Sequence, residues 1–205
     1  MNFFAHLVLS EPNVHSRVGN LLGDFARGID TEQLDPQLKL GLQNHRRVDK
    51  FTDQHPKVLQ MKRSFTRQRR RFAGIALDVL FDHFLLQHWE QLSPEPKAQV
   101  IEQLYADLQS GQSLMPERMQ QVTSRLVEYD WFRSYESLDG VAYALERIAT
   151  RIRFPHEFSG IGQELELHYE QFDAGFQLFI VDLLQTFPAP LMHPVPDFPT
   201  LDSAG

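Results

Sequence analysis

The sequence predicts an all-α protein, with a single compact helical domain over residues 1–186 and a proline-rich tail over 187–205. Three observations carry this expectation. Apolar residues recur at spacings of three and four, the period of a helix face. Alternating runs rich in Val, Ile and Thr, which would mark strands, are missing. Glycine and proline cut the chain into pieces of helical length, with no repeat that would signal a solenoid. At 205 residues, with 42% hydrophobic and 23% charged side chains, the chain is long enough and apolar enough for one core.

The elements follow in order. Met1–Leu9 is a short apolar segment, read as helical and broken by Glu11-Pro12-Asn13. Val14–Arg27 is a helix with Val18, Leu21, Leu22 and Phe25 inward and Gly28 as its stop. Asp35-Pro36 is an N-cap followed by proline in the first turn, opening a helix that runs to about Gln54 and ends before Pro56. Lys57–Arg71 is a basic helix. Phe72–Gln91 is an apolar, buried helix. Ser93 is the expected cap of the next helix, whose stripe is Val100, Leu104 and Leu108. Met115–Trp131, Leu138–Ile152 and Gly162–Gln185 are three further helices. Beyond Phe187 five prolines preclude helix, and the tail is expected to be extended or poorly ordered.

Composition excludes several functions. With no cysteine there are no disulfides, no thiol nucleophile and no thiolate-held metal. No apolar run is long enough to span a bilayer, and no secretory signal is visible, so no membrane association and a cytoplasmic location are expected. A net charge of −7 argues against nucleic acid as a partner. Within that acidic chain, Lys57, Lys62, Arg63, Arg67, Arg69, Arg70 and Arg71 follow one another with no acid between them. Such a run is either a solvated helix face or the footprint of an acidic partner.

Polar groups that do not belong in an apolar helix mark the candidate site. Asp78 and Asp82 lie four apart in Ala76–Leu86 and share one helix face. A carboxylate there is costly unless paired, and a metal ion is one good partner. His83 points about 100° away from Asp82. His6 interrupts an apolar segment, where a lone histidine is more often a core residue bonded to a carbonyl. Asp24 sits at the edge of a buried stripe with Asn20 one turn earlier. His45, Asp49 and Asp53 occupy one face at four-residue spacing, and Arg46 and Arg47 add fixed positive charge suited to a phosphate. Histidine and carboxylate donors without cysteine favour a hard or borderline ion, Mn²⁺ or Mg²⁺. The chemistry this suits is metal-assisted hydrolysis of a phosphate ester. Glycine-rich phosphate loops, serine elbows and dinucleotide fingerprints are absent.

Four motifs carry a resemblance. Asn2-Phe3-Phe4-Ala5-His6-Leu7, Gly19-Asn20-Leu21-x-x-Asp24-Phe25-x-x-Gly28, His45-Arg46-x-x-Asp49-x-x-Thr52-Asp53 and Leu77-Asp78-x-x-x-Asp82-His83-Phe84-Leu85 resemble, in order and spacing, the acyl carrier protein phosphodiesterases. The resemblance continues through His88-Trp89 to about residue 185. It implies a divergent relative of the all-helical HD-domain phosphohydrolases that removes 4′-phosphopantetheine from holo-acyl carrier protein, with manganese preferred and magnesium possible. The chain has no His-Asp doublet, only the reversed Asp82-His83, so the ligand set of HD enzymes does not transfer position by position.

The site expected from this combines His6, Asp24, His45, Asp49 and Asp82 as metal ligands. Asp24, His6, Asp82, His83 and Arg46 are the catalytic candidates, and Asn20, Asp53 and Asp78 are supports that orient them. Lys62, Arg63, Arg67, Arg69, Arg70 and Arg71 would receive the acidic carrier protein. Two other readings stay open: a metal phosphohydrolase of a nucleotide or small phosphodiester, and a non-catalytic helical binding module. No oligomeric state is read from the sequence.

Overall fold

Helix α5, Ala73–Gln87, runs through the centre of the protein, and eleven of its residues, from Ala73 to Leu86, are buried. The computed structural model describes residues 1–193 and 198, and every regular element among them is helical. Before α5 come α1 (Phe3–Val8), α2 (Val14–Leu21), α3 (Pro36–Gln54) and α4 (Pro56–Ser64). After it come α6 (Trp89–Leu92), α7 (Lys97–Ser110), α8 (Glu117–Glu128) and α9 (Trp131–Ser134). The chain closes with α10 (Leu138–Ala149), α11 (Gly162–Leu167) and α12 (Tyr169–Thr186). Around α5 lie α1, α4, α10, α11 and α12.

The core is aromatic. Phe81 of α5 packs 5.2 Å from Phe179 and 5.5 Å from Phe176 of α12, and Phe84 lies 5.3 Å from Phe176. Each buried phenylalanine stabilises by about 2–3 kcal/mol. Helices α2 and α3 pack by a different device. A Cβ on Gly19 would lie 2.5 Å from the Leu38 carbonyl oxygen, and one on Gly41 would lie 2.8 Å from Gly19 Cα. The two backbones touch because neither position carries a side chain.

Several expectations hold in kind and shift in extent. Asp35 caps α3 through the Gln37 amide at 2.8 Å with Pro36 in the first turn, as its sequence predicts. Helix α2 tightens into a 3₁₀ turn at Leu22–Phe25 rather than continuing as α-helix to Arg27. The expected helix from Phe72 breaks at His88, and the last long one breaks at His168. The segment read as Met115–Trp131 turns at Asp130, which is left-handed (φ 47°) and is held there by the Tyr105 hydroxyl at 2.6 Å. Ser93 is not the cap of α7. Its hydroxyl donates to the Leu191 carbonyl at 2.6 Å.

The basic helix is the main correction. It ends at Ser64, not Arg71. Phe65 is buried 5.4 Å from Phe172, and Glu164 accepts the Thr66 amide at 2.9 Å and its hydroxyl at 2.8 Å. Burying Phe65 and satisfying Thr66 from outside the helix overrides local propensity. The start of the tail differs too. Residues 187–193 are non-helical but pinned, with the His193 amide on the Leu92 carbonyl at 2.7 Å and Phe187 5.6 Å from Phe51. The prolines at 194, 196 and 199 lie outside the described residues. Among the described residues no helix is long and apolar enough to cross a membrane.

One ion pair ties the end of α5 to α12: His88 Nε2 lies 2.5 Å from Asp173 Oδ1. Burial disfavours the charged imidazole, but Asp173 and Gln91 outweigh it and raise the His88 pKa. A raised histidine pKa contributes stability that is complete below the unfolded value of about 6.5 and is lost as pH rises through the folded value. Urea midpoints taken from about pH 6 to about pH 9 should therefore fall less for His88→Gln than for the parent protein.

Candidate active site

The site forms where α1 and α3 meet the 3₁₀ turn after α2. On α3, His45 and Asp49 are one turn apart, and both face α1. His6 Nε2 lies 3.1 Å from Asp49 Oδ1, and His45 Nε2 lies 3.0 Å from Asp49 Oδ2. The two imidazoles stack with centroids 3.9 Å apart. Among the described residues, His6, His45 and Asp49 bring their donor atoms within 4.8 Å of one another.

Both histidines are buried. Among the described residues, Nδ1 and Nε2 of His6 and Nδ1 of His45 make no hydrogen bond, although His6 Nε2 comes within 3.1 Å of Asp49. Burial drives the His6 pKa down to about 3 against the pull of Asp49, so this imidazole is neutral at pH 7 and keeps a free lone pair. Burial alone would raise Asp49, but His45 and His6 outweigh it and hold the carboxyl well below the usual range. Two imidazoles and an ionised carboxylate, with buried ring nitrogens that bond nothing among the described residues, are donor chemistry suited to a metal ion.

Two packing features deliver these groups. His45 lies across Gly23, where a Cβ would sit 2.0 Å from the ring's Cδ2. His6 is presented by Asp82, whose oxygens accept the Phe4 and Ala5 amides at 3.0 Å each and so cap α1 from within α5. Burial raises the Asp82 pKa to about 7, with the Ala5 and Phe4 amides opposing.

The other expected residues fall into distinct places. Asp24 is reached by solvent yet sits among the site walls. Desolvation raises its pKa, and the nearby His45 pulls it back. Asp78 lies 2.8 Å from the Met1 amino group, which also lies 3.4 Å from Asp49. Burial disfavours that ammonium, but Asp78 and Asp49 prevail and raise it to about 10. Asn20 bonds the Ser16 carbonyl at 2.9 Å and accepts from Asn44 at 3.0 Å, joining α2 to α3. Asp53 is exposed and paired with Lys62 at 2.8 Å. Arg46 is exposed and makes no ion pair among the described residues.

His83 is not brought to the site. Its Nδ1 donates to the Tyr135 carbonyl at 2.7 Å, which leaves Nε2 to accept from the Tyr169 hydroxyl at 2.9 Å. Of the basic run, Arg69 turns onto the carbonyls of Glu157 and Ser159 and onto Glu164, and Arg70 onto those of Arg63 and Phe65. Arg71 lies over Phe72 and Phe154, while Arg63 and Arg67 stay exposed. Gly23, Asn44 and the Met1 amino group were not anticipated. The four-residue spacing of Gly19 and Gly23 was the available sign of a close helix contact.

Fold and site define an all-helical protein built around a histidine–carboxylate centre suited to a divalent cation. The chain belongs to the acyl carrier protein phosphodiesterase family: the family model of that description matches residues 1–183. A protein of that name from Pectobacterium atrosepticum is 36% identical over 186 residues, covering 90% of this chain and 96% of the relative. Namesakes from Photorhabdus laumondii subsp. laumondii (36% identical, 87% and 91% covered) and Serratia proteamaculans (33% identical, 90% and 96% covered) agree. No solved structure matches the chain.

Two substitutions separate delivery from packing. Gly23→Ala should displace His45 and lower turnover by about a hundredfold with helix content retained, as read by circular dichroism. Asp82→Ala strands two buried amides and should cost about 3 kcal/mol in urea unfolding, measured without added metal.

Proposed function

We propose that this chain is an acyl carrier protein phosphodiesterase using a divalent cation held by His6, His45 and Asp49. The observation that carries the reading is the convergence of those three side chains, with unpartnered buried imidazole nitrogens, in a member of this family. The reaction is hydrolysis of the phosphodiester between 4′-phosphopantetheine and a serine of the holo-carrier. Water adds to phosphorus and the serine oxygen leaves with a proton, giving apo-carrier and free 4′-phosphopantetheine.

The cation, when bound, supplies Lewis-acid polarisation of a phosphoryl oxygen and a more acidic water. Two imidazoles among three donors favour Mn²⁺ over Mg²⁺, which prefers an all-oxygen octahedron. Asp24, solvent-reached and facing His45, transfers the proton. Arg46, one residue beyond His45 and free of ion pairs among the described residues, holds a phosphoryl oxygen. Asp78, with the Met1 amino group, braces Asp49, and Asp82 braces α1. The exposed cations of the 57–71 segment attract the acidic carrier. A cytoplasmic location is part of the proposal.

The test is incubation of the protein with holo-carrier, reading loss of the phosphopantetheine mass. Chelation should abolish the loss, and Mn²⁺ should restore it better than Mg²⁺. His6→Ala and Asp49→Ala should each lower turnover by about a hundredfold or more and reduce bound Mn²⁺. Turnover indifferent to chelation, or normal Mn²⁺ content in both variants, would overturn the metal assignment. Cleavage confined to small phosphodiesters or nucleotides would overturn the substrate.

A further inference from the structure

From Arg71 to Leu86 every residue is buried except Arg71, Gly74, Ile75 and Asp78. Spaced at three and four, these form one stripe, the single face of this central stretch open to water. The stripe starts at Arg71, in the 3₁₀ turn before α5, and ends at Asp78, which shares the Met1 amino group with Asp49. Ile75 on it is 40% exposed, an aliphatic side chain lying in the lane that leads to the site.

The far end of the stripe is built from two separate segments. Arg71 lies 4.6 Å from the Phe72 ring centroid and 5.5 Å from that of Phe154, and it reaches the Pro155 carbonyl at 3.4 Å. The loop after α10 is thereby clamped onto the basic segment, and Phe154 is held out in solvent at 55% exposure. Arg153 precedes it in the chain and Arg71 lies against it, and the segment to which it is clamped exposes Arg63, Arg67 and Arg70 with no acid from Lys57 to Arg71; the exposed acid on its own loop is Glu157. An exposed aromatic ring held by Arg71 beside a basic segment is the composition of an interface core with a charged rim.

We propose that Phe154, Arg71 and Ile75 form the docking track for the acidic carrier protein, seating its apolar surface on the two hydrophobic side chains and its carboxylates on the surrounding arginines. This rests on the carrier phosphodiesterase reading and adds the surface by which the partner is recognised. The occupant follows from charge and chemistry together. The chain as a whole carries a net charge of −7, so attraction for an acidic partner is confined to its basic patch, and a partner with both acidic and apolar groups matches a patch that also displays isoleucine and phenylalanine. The track also has a direction, because a carrier seated on Phe154 and Ile75 lies alongside the path to Asp78 and Asp49.

The experiment compares kcat/KM for holo-carrier with kcat/KM for a short phosphopantetheinyl-serine peptide, using full-length protein with Mn²⁺. In Phe154→Ser and in Arg153→Glu the ratio of the two should fall about tenfold. An unchanged ratio in both would overturn the track. Hydrogen exchange of the unmodified protein with apo-carrier gives a second reading that needs no variant. Protection at 66–75 and 150–156 supports the proposal, and protection confined to other segments overturns it. Protection there without any cleavage of holo-carrier would instead remove the phosphodiesterase reading and leave the surface standing.

Discussion

The buried carboxylate of Asp82 is the interaction on which the site depends. It stands in the middle of an apolar helix, where an unpaired charge would be prohibitive. Both of its oxygens are taken by the first free amides of α1. The result is a cap supplied from a distant part of the chain, and it fixes a six-residue helix too short to be stable alone. His6 rides on that helix. Its burial, its low basicity and its place above Asp49 all follow from α1 being pinned to α5. The carboxyl of Asp82 is pushed to about 7, showing that burial still outweighs the two amides that hold it.

The second histidine arrives by steric subtraction rather than by a bond. Gly19, Gly23 and Gly41 remove the side chains that would keep α2 from α3, and His45 occupies the space over Gly23. Interiors are close-packed, so a methyl group there cannot be absorbed by a rigid imidazole already stacked on its neighbour. One histidine is therefore placed by a hydrogen-bonded cap and the other by missing atoms. Asp49 completes the set through helix periodicity alone, one turn after His45.

Periodicity and punctuation made the helical class legible, and Asp35-Pro36 marked a helix start that the structure keeps. The His45–Asp49 face was legible for the same reason: both residues lie on one helix, and four-residue spacing settles their common direction. What was not legible is set by tertiary contacts. Nothing local in Ser64-Phe65-Thr66 stops a helix; Phe65 meeting Phe172 and Thr66 meeting Glu164 do. Asp82 and His83 were both marked by being polar in an apolar run, yet they separate around α5, one toward α1 and the other toward Tyr135 and Tyr169. Only the partner helices decide which face belongs to the site.

Charge balance then constrains what the site can accept. Asp24, Asp49 and Asp78 lie near the His6–His45 pair, where, on the proposed reading, an anionic phosphodiester binds. The Met1 ammonium offsets part of that charge through Asp78 and Asp49, and His6 contributes none because it is neutral. Without a further positive charge the carboxylates would repel the substrate more strongly than Arg46, in solvent, could attract it. On the proposed reading, a divalent cation held by His6, His45 and Asp49 would supply the positive charge that reverses that balance. On the proposed readings, the segment before α5 would meet the acidic protein while the cation would be held beside Asp78, further along the same helix.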